Sequence, residues 1–204
     1  MNPDFLSEHP SLPEGTRGRI LQAAAKLILE QGYARTSTRA IAAEADINEI
    51  TLFRHFGSKE KLFHEMVETF SDLPGLTDAM LGQLSGEFRA DMQHIGRVFM
   101  QVMLARADVI RLVLCEAAHF PEVREVMVNN PRRLRQALAG YLRQQMQAGR
   151  VRQADAELAA QAFYGMFFSY VVLHSVLEED PAQHKTPEQV AVEFADLFVD
   201  GLQA

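Results

Sequence analysis

Apolar residues recur along most of this chain at spacings of three and four positions, which is the period of an amphipathic α-helix. Two short helices are predicted between residues 38 and 55, and longer ones over about 16–31, 58–70, 77–84, 86–105, 107–119, 122–148, 155–178 and 188–203. Pro131 is expected to kink or break the 122–148 helix, because proline lacks a backbone donor. The sequence shows no alternating strand pattern and no internal repeat, so the predicted fold class is all-α.

The segment Thr36–Lys59 is predicted to form two short helices joined by a tight turn. The first helix begins after Ser37 or Thr38, since either hydroxyl can cap free backbone amides. In the turn, Asp46 is expected to adopt positive φ, which short polar side chains tolerate. Asn48 is placed to cap the second helix.

The second short helix covers Glu49–His55, and Leu52 and Phe56 share its inward face at a spacing of four residues. Its other side chains point outward or sideways, namely Ile50, Thr51, Phe53, Arg54 and His55. Two short helices joined in this way form a helix-turn-helix, whose second helix enters the major groove of DNA. The pattern therefore predicts a DNA-binding domain.

The same stretch resembles the tetracycline-repressor-like (TetR) family of bacterial one-component regulators. The resemblance rests on Gly32, Tyr33, Thr36, Ile41-Ala42, Ala45-Asp46, Thr51-Leu52-Phe53, His55-Phe56 and Ser58-Lys59. A second segment, 112–123, resembles efflux-associated members of the AcrR type. The family usually has Gly where this chain has Asp46 and Tyr where it has Phe53. The missing phenolic oxygen is expected to lower DNA affinity by about 1 kcal/mol, the net value of one hydrogen bond.

The helix-turn-helix and the resemblance together assign individual DNA contacts. Base edges are expected to meet Ile50, Thr51 and Arg54, while Arg39 reaches a neighbouring guanine. Phosphates are expected to be held by Thr38, Asn48, His55 and Lys59. Glu49 and Phe53 complete the predicted surface. Two alternatives stay open. Phe53 is buried beneath the helix, or Arg54 contacts only the sugar-phosphate backbone of the DNA and no base.

The charge distribution agrees with a DNA partner even though the net charge is −7. Residues 16–61 contain eight basic and five acidic side chains, a local charge of +3, and the other residues sum to −10. A cationic end on an anionic chain orients the molecule toward DNA and keeps non-specific affinity low.

Composition limits the domain count and the compartment. With 204 residues and 48% hydrophobic content, one or two domains can be built, and the single Cys115 fits a reducing compartment. No leader or membrane span is predicted, and the apolar tract 163–177 is interpreted as a buried helix, so the protein is expected to be cytoplasmic. We expect a flexible arm over 1–15, a DNA-binding domain over 16–61 whose fourth helix continues to about 70, and a regulatory domain over 71–204.

Methionine and aromatic side chains are abundant in the expected regulatory domain and allow two interpretations. In the first interpretation these side chains form the core of a helical bundle, which must hold for most of them. In the second, some of them line a ligand cavity of the kind that the resemblance implies. The candidate cavity residues are Met92, Phe99, Met103, Leu114, Glu116, His119, Phe120, Tyr141, Met166 and Tyr170. Glu116 and His119 suit a structural pair better than a ligand contact, and Cys115 suits a plain small hydrophobe better than a sensor.

The last two long helices carry wider apolar faces than burial on one side requires. The resemblance implies that they form a four-helix bundle between two subunits, through Phe163, Phe167, Val171, His174, Phe194, Leu197 and Phe198. A two-fold dimer places two reading helices on a palindromic DNA site.

These expectations combine into a ligand-responsive transcriptional regulator, most simply a repressor released from a palindromic operator by a small apolar or amphipathic effector. The resemblance implies that the helix 58–70 transmits the effector signal. The sequence contains no nucleophile elbow, phosphate-binding glycine loop or metal-ligand spacing, so no enzyme, cofactor or metal is predicted. The alternative is a helical-bundle carrier or enzyme that uses the cavity of the C-terminal domain.

Overall fold

The computed structural model describes the backbone of residues 12–71, 76–177 and 185–203, and their side chains except at positions 71, 78, 122, 123 and 125–130. Most of the predicted arm 1–15 therefore lies outside the described residues. Within the described ranges the chain is helical and contains no strand, which confirms the all-α prediction. The helices are α1 Thr16–Gln31, α2 Thr38–Glu44, α3 Glu49–Phe56, α4 Lys59–Ser71, α5 Leu76–Leu81, α6 Phe88–Ala105, α7 Ala107–Glu116, α8 Pro121–Gln147, α9 Ala156–Val171 and α10 Pro187–Leu202.

Local signals in the sequence set the helix ends. The Ser37 hydroxyl accepts a hydrogen bond from the Ala40 amide and begins α2, and Thr186 forms a capping box with Gln189 at the start of α10. Helix α9 continues into a π-helical turn, Val172–Leu177. Helix α8 runs through Pro131 without interruption, so of the predicted kink or break, the break does not occur.

The chain divides into two compact units, and each unit is made of two separate segments. The division therefore differs from the single domain boundary that was predicted near residue 71. Unit 1 comprises Met1–Pro74 together with Asp108–Asn130, and unit 2 comprises Gly75–Ala107 together with Pro131–Ala204. Helix α7 and the first part of α8 therefore belong with the helix-turn-helix, and the second division falls within α8 at Pro131.

The core of unit 1 is formed by apolar side chains from five helices. Its fully buried members are Ile20, Leu21 and Ala24 of α1, Ile41 of α2, Leu52 of α3, and Leu62 and Val67 of α4. Val109, Leu112 and Val113 of α7 extend the same cluster. Burying one leucine or phenylalanine side chain contributes about 1.5–3 kcal/mol, so this core holds the short helices α2 and α3 in place.

Aromatic rings pack together in one part of the unit 2 core. The Phe167 ring centroid lies 5.0 Å from that of Phe163, 5.5 Å from that of Phe194 and 6.0 Å from that of Phe99. At the edge of this core, Arg89 of α6 donates hydrogen bonds to Asp196 (2.7 Å) and Asp200 (2.5 Å) of α10. The rings and this ion-pair network join α6, α9 and α10.

Asp91 is a buried carboxylate at the start of α6, and four hydrogen bonds satisfy it. Its Oδ1 accepts from the Ser85 amide (2.6 Å) and hydroxyl (2.8 Å), and its Oδ2 accepts from the Gly86 amide (3.0 Å) and the Tyr141 hydroxyl (2.7 Å). Burial opposes ionisation, but these donors outweigh it and hold the pKa of Asp91 below its usual value. Burial and the neighbouring carboxylate raise the pKa of Tyr141.

Candidate nucleic-acid interface

Helix α3 is held by its inner face and by the turn that precedes it. Leu52 and Phe56 are buried, as predicted, and Ile47 packs partly buried against the same core. Asp46 has φ 53°, which confirms the positive φ expected there. The Oδ1 of Asn48 accepts from the Thr51 amide at 2.8 Å, so the predicted cap is also confirmed.

The outer face of α3 is exposed and partly apolar. Ile50 is 81% exposed and Phe53 is 42% exposed. The alternative in which Phe53 is buried is therefore wrong. Arg54 is exposed on the same helix, while Thr51 and His55 are half-buried. This surface offers methyl, aromatic and guanidinium groups, which suit thymine methyl groups, sugars and guanine or phosphate oxygens respectively.

Two predicted DNA contacts, Thr38 at the start of α2 and Glu49 at the start of α3, are bonded to each other. The Thr38 hydroxyl donates to the Glu49 carboxylate at 2.5 Å, and both side chains are half-buried. Thr38 thus positions Glu49, and this carboxylate stands in the first turn of α3, where the helix dipole favours negative charge. Arg39, the next residue of α2, is exposed.

Lys59, a predicted phosphate contact, already has a partner within unit 1. Its Nζ atom donates to the Tyr33 carbonyl at 2.7 Å and lies 4.1 Å from the centroid of the Tyr33 ring. Burial lowers the pKa of Lys59, although Glu60 and Glu116 act in the opposite direction. The ammonium group therefore ties the start of α4 to the end of α1 within unit 1.

The sequence interpretation did not include the contacts that three residues of this region make: Arg17, Glu65 and Tyr33. The Tyr33 ring lies 4.5 Å from the Phe63 ring and 4.5 Å from the Phe120 ring. Arg17 bonds to Glu65 through two nitrogen atoms. The sequence contains one signal for an inward-facing Arg17: it lies three and four residues before the buried Ile20 and Leu21, and so on the same face of α1.

The predicted effector residues are divided between the two units. Leu114, Glu116, His119 and Phe120 belong to unit 1, and Met92, Phe99, Met103, Tyr141, Met166 and Tyr170 belong to unit 2. Two of these side chains already have partners within their own unit. Phe120 packs on Tyr33 and Phe63 of unit 1, and the Tyr141 hydroxyl is bonded to Asp91. Cys115 is a free, exposed cysteine.

Three of the predicted dimer contacts are also corrected. Phe163, Phe167 and Val171 have no exposed surface, so they form the protomer's own core and cannot contact a second subunit. His174, Phe194 and Phe198 are half-buried and Leu197 is exposed. The large apolar side chains that α9, its π-helical turn and α10 expose to solvent are Leu158, Phe168, Leu173, Leu177 and Leu197.

The segment Ala156–Leu177 is long and apolar enough, by length and composition, to cross a membrane. Only 28% of its most apolar 18-residue stretch is buried within the chain, so this helix is less buried than the sequence predicted. The segment therefore leaves an apolar surface exposed to solvent.

The geometry defines a class of protein. A short helix anchored by buried Leu52 and Phe56, preceded by a tight turn and exposing its other face, is a helix-turn-helix DNA-binding domain, and here it is combined with a larger helical unit. The family model "Bacterial regulatory proteins, tetR family" matches residues 20–66, and the model "AefR-like transcriptional repressor, C-terminal domain" matches residues 90–201. The chain belongs to the TetR family of transcriptional regulators, and it is not an enzyme.

Individual relatives agree with this assignment. The chain is 29% identical over 189 residues to the uncharacterised HTH-type transcriptional regulator YvkB of Bacillus subtilis, covering 93% of this chain and 98% of that protein. It is 30% identical over 123 residues to the HTH-type transcriptional repressor KstR2 of Mycolicibacterium smegmatis, covering 56% and 60% of the two chains. The crystal structure of a TetR-family transcriptional regulator from Mesorhizobium loti superposes on this chain with a TM-score of 0.76 at 21% sequence identity. The match covers 91% of this chain and 96% of the other, so the two proteins share the fold.

Proposed function

We propose that this regulator is a ligand-responsive repressor that binds a palindromic operator as a homodimer in the cytoplasm, with one α3 helix of each subunit in a major groove. Ile50, Thr51 and Arg54 meet base edges, Arg39 reaches a neighbouring guanine, and Asn48 and His55 contact phosphates. Because Asn48 uses its side-chain oxygen for the cap, its NH₂ group is the donor that remains for a phosphate.

The observation that carries this proposal is the exposed apolar part of α3. Ile50 leaves most of its side chain in water, although the helix buries Leu52 and Phe56 efficiently. A thymine methyl group removes such a side chain from water, so burying Ile50 against DNA is favourable. Arg54, exposed on the same helix, supplies the donors for guanine or a phosphate.

The test begins with selection of a binding sequence from random duplexes, followed by affinity measurements with Arg54→Ala. We expect the exchange to weaken binding to the selected duplex by about 1–3 kcal/mol. Arg132→Ala is the control. It removes the same charge from an exposed position on α8 in unit 2, far along the chain from α3. Equal affinities for the Arg54 variant and the wild type would remove Arg54 from the interface.

The homodimer is supported by the exposed apolar side chains of α9, its π-helical turn and α10. Leu158 is 64% exposed, Leu177 is 68% exposed and Leu197 is 65% exposed. Ala162 and Gly165 lie on the exposed face of α9 with Leu158, and a Cβ added at Gly165 meets open space. Small residues between large apolar ones let another helix approach closely, so this face suits a second copy of the chain.

Sedimentation at micromolar concentration tests the dimer. We expect Leu197→Lys to shift the wild-type dimer toward monomer, because the charged group would have to be buried between subunits. Leu114→Lys is the matched control, since Leu114 is an exposed leucine of unit 1. A wild-type protein that sediments as a monomer would contradict the proposed assembly.

We place the effector in unit 2, next to the half-buried Met103, Met166 and Tyr170. Thioether and aromatic groups adapt to apolar ligands of varied shape, which supports a small apolar or amphipathic effector. Binding would favour a conformation in which the two α3 helices no longer match successive major grooves. A thermal-shift panel of amphipathic compounds, followed by DNA titrations with each stabilising compound, tests this. If no stabilising compound lowers DNA affinity, the regulatory part of the proposal fails.

A further inference from the structure

Arg17 connects three helices of unit 1 through one guanidinium group. Its Nε donates to Oε1 of Glu65 at 2.7 Å, and its Nη2 donates to Oε2 of the same carboxylate. Its Nη1 donates to the backbone carbonyl of His55 at 3.0 Å. The guanidinium carbon lies 4.6 Å from the centroid of the Phe56 ring. Arg17 belongs to α1, His55 and Phe56 to the last turn of α3, and Glu65 to α4.

These contacts act on the end of α3 that the helix itself leaves unsatisfied. The last carbonyls of a helix have no partner within the helix, and positive charge is favourable beside them. Arg17 supplies both a donor and a charge at His55, and Glu65 fixes the direction of the guanidinium through a bidentate pair. Lysine carries the same charge but lacks the planar fork, so it cannot make this set of bonds.

We infer that Arg17, oriented by Glu65, is a positioning residue for DNA recognition: it fixes the C-terminal end of α3 at the angle to α1 and α4 that the major groove requires. This inference rests on the proposed reading role of α3. The competing possibility is that Arg17 binds a DNA phosphate directly. The two possibilities predict opposite effects of Glu65, which would support Arg17 in the first case and compete with DNA for it in the second.

The decisive variants are Arg17→Lys and Glu65→Gln, each conservative in size, and the control is Arg19→Gln, which removes one charge from an exposed position on α1. Binding is measured against the duplex selected by the wild-type protein, over a series of salt concentrations. We expect both variants to weaken binding, by about tenfold for a lost bidentate charge-assisted pair. The slope of log affinity against log salt should not change in either variant, because no phosphate contact is lost.

Glu65→Gln is the sharper of the two tests. It removes a negative charge, which by itself should favour DNA, and weaker binding therefore requires loss of positioning. Stronger binding by Glu65→Gln would assign Arg17 to a phosphate and overturn the inference. A third variant, Arg17→Gln, removes the charge as the Arg19→Gln control does. If its slope of log affinity against log salt were smaller than that of the control by about 0.9, the inference would also be overturned.

Amide hydrogen exchange on the free protein separates this inference from the proposed function. With Arg17→Lys, exchange should accelerate over residues 53–57 and stay unchanged in α1 and unit 2. Uniform acceleration would indicate a general stability role and overturn the inference, as would no change. If the wild-type protein selects no DNA sequence, the proposed function fails, whereas the exchange data still decide whether Arg17 holds the end of α3.

Discussion

Replacing Gly96 with alanine tests how closely the helices of unit 2 approach each other. Gly96 is buried in α6, and a Cβ atom added there would lie 2.8 Å from Cζ and 3.2 Å from Cε1 of Phe167, and 3.4 Å from the carbonyl oxygen of Ala191. Non-bonded carbon atoms prefer separations of about 3.5–4.0 Å. The Phe167 ring would therefore have to move by about 0.5–1 Å to restore an ordinary contact.

The surrounding packing opposes that movement. Phe167 is fully buried, and the rings of Phe163, Phe194 and Phe99 surround it at centroid distances of 5.0, 5.5 and 6.0 Å. Forcing one extra methyl group into a packed core costs about 1–3 kcal/mol. Alanine also gains about 0.5–1 kcal/mol over glycine inside a helix, so a net loss of about 0–2.5 kcal/mol is expected for Gly96→Ala.

Gly140 provides the matched control, because it lies within α8 and a Cβ added there meets nothing within 4 Å. Gly140→Ala should stabilise the protein by about 0.5–1 kcal/mol, the helix-propensity gain alone. The difference between the two variants therefore isolates the steric cost of about 1–3 kcal/mol, which corresponds to about 2–12 °C in melting temperature for a chain of this size. Urea unfolding at one fixed protein concentration measures it. A Gly96 variant at least as stable as the Gly140 variant would refute the close approach of Phe167.

Three further predictions concern single contacts. Tyr141→Phe should cost about 1–3 kcal/mol in unfolding free energy at neutral pH, because Asp91 loses a buried donor. The pKa of Asp91 in the folded protein lies below its unfolded value near 3.8. The stabilisation by the Asp91 carboxylate is therefore complete above pH 3.8 and is lost as the pH falls through the folded pKa. Urea titrations at several pH values should show that Tyr141→Phe reduces this acid sensitivity. Asn48→Ala should lose about 1 kcal/mol of capping energy and Asn48→Ser should retain it, and equal melting temperatures for the two would exclude the cap. Lys59→Gln should lower the melting temperature without changing the salt dependence of DNA binding, whereas a reduced slope would return Lys59 to the phosphate-contacting set.

The effect of Phe53 on affinity stays a prediction. The exposed ring confirms that position 53 faces outward from α3, so Phe53→Tyr would add a hydroxyl group where the family usually has one. A gain of about 1 kcal/mol in affinity for the selected duplex is expected from one new hydrogen bond.

Local sequence determined the helix-turn-helix of this protein. The positive φ of Asp46, the caps at Ser37 and Asn48, and the inward Leu52 and Phe56 all follow from interactions within a few residues. Each depends on backbone geometry or helical spacing, which a sequence displays directly. The same reasoning located most of the longer helices, because apolar periodicity also extends over neighbouring turns.

Which face of an apolar helix is buried within the chain was decided only by the tertiary structure. The sequence showed that α9 is apolar around much of its circumference, but only packing against α6 and α10 buries Phe163, Phe167 and Val171 and leaves other side chains exposed. Packing likewise bonded Lys59 to Tyr33 and Arg17 to Glu65, residues 26 and 48 positions apart. Contacts at such separations depend on how whole helices pack, and no local pattern in the sequence records that arrangement.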